Sequence, residues 1–136
     1  MFGKASKPRD RIDSWIGSTT SIEGNLYFSG GMRVDGVIRG NVVAQPDQPG
    51  TLVVSENARI DGEVHAAHVV VNGTIVGPVH ASEMLELQAG SRIKGDVYYK
   101  SIEMVQGSVV EGRMVHQGDE VKSVELKLAT GGQSPR

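Results

Sequence analysis

The chain has 136 residues, enough for one modest domain, and a net charge of −2 that points to no strongly basic or acidic partner. It contains no cysteine, which excludes a disulfide framework and thiolate metal sites and accords with a reducing compartment. Aromatic residues make up 4% and glycine 18 of 136, so the core must come from Val, Ile, Leu and Ala, in strands and tight turns rather than helices.

Residues 1–14 are polar, lack an apolar period and read as a disordered tail. They carry Lys4, Lys7, Arg9 and Arg11 against Asp10 and Asp13, a sum of +2, which leaves −4 on the rest of the chain. An acidic body lacks the basic stripe of a nucleic-acid binder. Met1 and Phe2 stand just ahead of the basic run. Apolar anchors beside cations suit an anionic membrane surface, where each cation contributes about 1 kcal/mol; an ordinary solvated tail would read the same way. No stretch approaches the ~18 apolar residues of a membrane span and no signal peptide is evident, so a cytoplasmic protein is expected.

Trp15 and Ile16 open a repeating body. Six times the chain writes apolar, any, Gly, any, apolar: at 22–26, 38–42, 60–64, 75–79, 93–97 and 110–114. The glycines Gly24, Gly40, Gly62, Gly77, Gly95 and Gly112 are separated by 16, 22, 15, 18 and 17 residues. A unit this short cannot bury its own apolar face and must stack on its neighbours. Upstream of successive glycine motifs runs a second strand: Met32-Arg33-Val34, Leu52-Val53-Val54, Val69-Val70-Val71, Leu85-Glu86-Leu87 and Ile102-Glu103-Met104. Each is followed by a turn at Gly36, Asn57, Gly73, Gly90 or Gly107. The one long spacing holds Gln45-Pro46-Asp47-Gln48-Pro49-Gly50, an inserted surface loop. The glycine motif itself reads as a strand followed by a short corner.

The expected fold is all-β: a single parallel β-helix of about six rungs over 15–118. At ~4.8 Å per rung it makes a rod about 30 Å long. Inside, Ile22, Ile38, Ile60, Ile75, Ile93 and Val110 should form one column, and Leu26, Val42, Val64, Val79, Val97 and Met114 another. Outside, Glu23, Arg39, Asp61, Val76, Lys94 and Glu111 should form a ladder whose opposite charges contribute only tenths of a kcal/mol. Over 119–128, Val124, Leu126 and Leu128 alternate as in a closing strand, although Val121, Val124 and Leu128 also fit a helical face. Residues 129–136 read as a second disordered tail.

Chemistry is thinly represented. His65 and His80 occupy the same rung position and His68 lies three residues past His65, but two aligned ligands without a carboxylate marked by spacing favour a surface side-chain ladder over a metal site. Asp61 with Glu63, and Glu83 with Glu86, are paired carboxylates that an exposed strand face normally carries. Nucleophile elbows, phosphate loops and dinucleotide fingerprints are absent. No catalytic, cofactor or metal residue is assigned.

The ends carry more. A β-helix presents unpaired N–H and C=O groups at both ends, and soluble solenoids usually cover them. No amphipathic helix stands ready to do so here. End-to-end self-assembly is therefore expected, unless the tails fold over the ends.

Six rungs of the type Arg92-Ile93-Lys94-Gly95-Asp96-Val97 between two tails, after a Met1-Phe2-x-Lys4 start, resemble the bactofilins. The resemblance implies a right-handed coil and a cytoskeletal subunit that polymerises without nucleotide into non-polar filaments. It implies that apolar residues of the terminal rungs make the subunit contacts, Trp15, Ile16, Ile22 and Leu26 at one end and Val124, Leu126 and Leu128 at the other. It also implies a peripheral place at the inner face of the cytoplasmic membrane, with Met1, Phe2, Lys4 and Lys7 as the targeting segment. It further implies a scaffold for cell shape or for placing cell-wall enzymes and other envelope proteins. The competing class, a hexapeptide-repeat acyltransferase or zinc hydratase, requires a strict six-residue period that these rung lengths break.

Overall fold

The computed structural model describes residues 12–118. Met1, Phe2, Lys4 and Lys7, the closing strand with Val124, Leu126 and Leu128, and the tail over 129–136 lie outside the described residues.

Fifteen strands climb six rungs. The first holds β1 (Ser14–Ile16), β2 (Ser21–Glu23) and β3 (Leu26–Phe28), and the second β4 (Gly31–Val34), β5 (Val37–Arg39) and β6 (Val42–Ala44). β7 (Thr51–Val54) and β8 (Arg59–Asp61) follow, then β9 (Val64–Val71), which closes the third rung and opens the fourth without a break. The chain continues through β10 (Thr74–Val76), β11 (Val79–Leu87), β12 (Arg92–Lys94), β13 (Val97–Met104), β14 (Val109–Glu111) and β15 (Met114–His116). All pairings are parallel, in a six-stranded sheet ordered β14-β12-β10-β8-β5-β2 and a nine-stranded sheet on the path β1-β4-β7-β9-β11-β13-β15, joined by β3 and β6. The parallel solenoid and its six turns match the expected fold.

Like stacks on like, as the repeat requires. Ile22, Ile38, Ile60, Ile75, Ile93 and Val110 are in register, and the middle four are fully buried. The column from Leu26 through Val42, Val64, Val79 and Val97 to Met114 is likewise in register. Two more interior columns run Met32, Leu52, Val69, Leu85, Ile102 and Ile16, Val34, Val54, Val71, Leu87, Met104. In a chain with few aromatics, these aliphatic columns are the core.

The glycine motif is not one strand. β2, β5, β8, β10, β12 and β14 each end one residue before the glycine, and a new strand begins two residues after it. The corner sits on the glycine rather than beyond the motif. Stacking causes this: a Cβ on Gly62 would lie 2.2 Å from the Gly40 carbonyl oxygen, and one on Gly77 would lie 2.2 Å from that of Gly62. With φ of 154° at Gly62, only glycine fits without strain. The next residue continues the stack, since the Asn25 side chain accepts from the Asn41 N–H at 3.0 Å and Asn41 from the Glu63 N–H at 2.9 Å.

Residues 45–49 form an exposed loop, as their prolines suggest. The ladder has a second irregularity, on β11. β11 carries one residue more than its neighbours between Ala81 and Met84, a bulge at Ser82-Glu83.

Candidate functional site

The first candidate is the pair of end faces. β1, β2 and β3 are paired on one side only, as are β14, β15 and the 101–104 half of β13, so among the described residues both ends present open ladders. Each interior column terminates there. Ile16, Ile22 and Leu26 are the first members of three columns, and Ile102, Met104, Val110 and Met114 the last members of four. The large exposed apolar side chains of the described residues are Trp15 and Tyr27 at the first rung, Met104, Val105 and Met114 at the last, and Ile12, which precedes β1 and lines the flank with Arg33, Val53 and His68. Ile12 apart, the strands between these rungs expose none of them.

Trp15 faces outward beside Arg33 of the second rung. Its indole N–H donates to the Asp35 carboxylate, which also accepts from Arg33 Nε at 3.0 Å. The polar tip is thus satisfied while the ring body stays 67% exposed. Arg33, then Ser55 and Trp15, hold the Asp35 carboxyl down at about 2, from an ordinary value of 3.8. Because the folded value lies below the unfolded one, this contribution is complete at neutral pH and is lost as pH falls from about 4 to about 2. Replacing Asp35 with Asn should cost roughly 1 kcal/mol at neutral pH, a small amount because the group is near the surface. The gap between variant and parent should close in acid. Urea unfolding at both pH values measures it, and equal stability at neutral pH would contradict the assignment.

The second candidate is a lateral groove of about 570 Å³. Its walls are the 45–49 loop and the β11 bulge with Glu83, and His65 and His80 line it. These belong to an outward column Tyr27, Val43, His65, His80, Tyr98 and Val115. The rings of His65 and His80 stack at 4.2 Å, and His80 stacks on Tyr98 at 4.4 Å. Glu63 Oε1 lies 2.9 Å from His65 Nε2, and that contact draws the Glu63 carboxyl below its usual range. Burial, then the neighbouring His65, lowers His80, so its imidazole favours the neutral form.

The structure splits the remaining candidates. His68 turns away, buried, with Nε2 2.7 Å from Glu86 Oε2. Asp61 is held by Arg59 of its own strand at 2.9 Å. In the outer charge ladder Glu23 meets Arg39 at 3.7 Å, while Glu111 meets Arg92 at 3.8 Å rather than its register neighbour Lys94. The carboxylate partner of His65, missed in the sequence, stands two residues ahead of it across the corner. That i, i+2 spacing was the available signal.

Residues 14–115 match the family profile of the bactofilins, described as polymer-forming cytoskeletal. Among curated proteins the chain is similar to bactofilin BacP of Myxococcus xanthus (strain DK1622), 31% identical over 76% of this chain and 41% of BacP. It is also similar to bactofilin BacO of the same organism, 22% identical over 73% of this chain and 75% of BacO. The chain therefore spans about two fifths of the length of BacP. No solved structure matches it.

Proposed function

The chain belongs to the bactofilin family of polymer-forming cytoskeletal proteins, and from that premise we propose that it is a filament subunit joined end to end through its terminal rungs. One observation carries this reading: five of the six large exposed apolar side chains of the described residues, all but Ile12, lie at the first and last rungs, beside open β ladders. Adding a rung from a second chain would satisfy the ladder and cover the column ends in one step. Nothing in that contact calls for a nucleotide, so assembly proceeds without one. Light scattering against protein concentration should show a sharp threshold in nucleotide-free buffer. Scattering that stays proportional to concentration and monomer-sized throughout would contradict the proposal.

The filament is a structural element rather than a catalyst. It lies at the inner face of the cytoplasmic membrane and scaffolds cell shape or the placement of cell-wall enzymes and other envelope proteins. The support for the membrane is the Met1-Phe2 pair ahead of Lys4 and Lys7. Replacing Phe2 with Ser should release the protein from anionic liposomes while assembly continues. Flotation with the vesicles separates bound protein from sedimenting filaments, and unchanged flotation would contradict membrane targeting.

A further inference from the structure

We propose that Glu63, His65 and His80 form a site for a divalent first-row transition ion such as zinc, which clips two neighbouring rungs together at the mouth of the lateral groove. The ligating atoms of these three side chains all lie within 4.8 Å of one another. A tetrahedral ion bound at ~2.0–2.1 Å needs its ligand atoms about 3.4 Å apart. The widest pair must therefore close by little more than ~1 Å. The side chains have room to do so, since those of His65 and Glu63 are 41% and 50% exposed.

The donor set is one carboxylate and two imidazoles, which suits zinc and its neighbours rather than calcium or magnesium, which prefer all-oxygen cages. The rings now stack within 6° of parallel, so their in-plane lone pairs run side by side. Binding requires one ring to turn. His80 is backed by Tyr98, whereas the other register neighbour of His65 is the smaller Val43, so His65 is the ring that turns. Its present partner, Glu63, stays within reach and exchanges a hydrogen bond for a shared ion. The groove is open to solvent, and water supplies the remaining coordination.

The geometry has a consequence for the fold. His65 lies on β9 and His80 on β11, so the ion would bridge strands in consecutive rungs beside the bulge. An ion that binds the folded chain and not the unfolded one raises stability by mass action. The site is independent of the end faces, and its test does not depend on assembly.

Equilibrium dialysis of the full chain against zinc alone tests the proposal. About one ion should bind per chain, and thermal unfolding should move to higher temperature with added zinc. His65→Asn and His80→Asn should each weaken binding by at least about tenfold and remove the thermal shift, with Glu63→Gln giving a smaller loss. The paired variant His68→Asn with His116→Asn should bind as the parent does. Unfolding curves in chelator establish that each variant folds. No saturable binding by the parent, or full binding after both His65 and His80 are replaced, would overturn the site.

Discussion

Replacing Gly62 with Ala is expected to destabilise the solenoid by about 3 kcal/mol, a large share of what a domain this size possesses. Two effects add. The backbone at Gly62 has φ of 154°, which an L side chain adopts only under strain. The new Cβ would meet the Gly40 carbonyl oxygen at 2.2 Å, and that oxygen cannot move aside cheaply. Neighbouring rungs are tied by Gly40 N–H to Asp61 O and Gly62 N–H to Val76 O, each 2.9 Å, so relief stretches the ladder. Gly17→Ala is the control, because nothing lies within 4 Å of its added Cβ and its cost should stay under about 0.5 kcal/mol. Urea midpoints at constant slope compare the two. A Gly62→Ala protein as stable as the control would show that the corner stack is looser than described.

Charging an end face should have the other large effect. Met114→Arg and Ile22→Arg each place a cation at the last or first member of an interior column. Inside one chain the cost is modest: Met114 is 41% exposed, and an arginine can extend past the rim into water. In an end-to-end contact the same cation is trapped without a partner, at a cost of about 3 kcal/mol or a hundredfold in critical concentration. Soluble, folded monomers or dimers are expected from at least one variant. Full filaments from both would place the subunit contacts elsewhere.

Much of the fold was legible because a short repeat leaves little freedom. Once six glycine motifs stand 15 to 22 residues apart, stacking fixes the columns, and Ile38, Ile60, Ile75 and Ile93 fall into place. What a single repeat conceals is the contact with its neighbour. Alternating apolar residues around a glycine read as a strand, and only the carbonyl stacked beneath Gly62 turns the motif into a corner. The bulge at Ser82-Glu83 had a trace in the spacing, 18 residues from Gly77 to Gly95 against 17 in the following rung, but a length difference does not say where the extra residue goes.

The candidate sites were legible to different degrees. The stacking of His65 on His80 follows from shared rung position, whereas Glu63 reaches His65 across a corner that the alternation around Gly62 disguises as straight strand. At the far end, the alternation of Val124, Leu126 and Leu128 points past residue 118, outside the described residues. Yet Met104 and Met114 were already the last members of their columns, and a column's last member is uncovered by definition. Their exposure is a property of position in the stack, whereas Trp15 and Tyr27 are exposed because they occupy outward-facing strand positions.

Negative-stain electron microscopy of the purified full-length chain, with no nucleotide and no added metal, tests end-to-end assembly most directly. Filaments a few nanometres wide, lost on charging an end face, are the predicted result. Discrete monomers or trimers across a range of salt and protein concentration would contradict it.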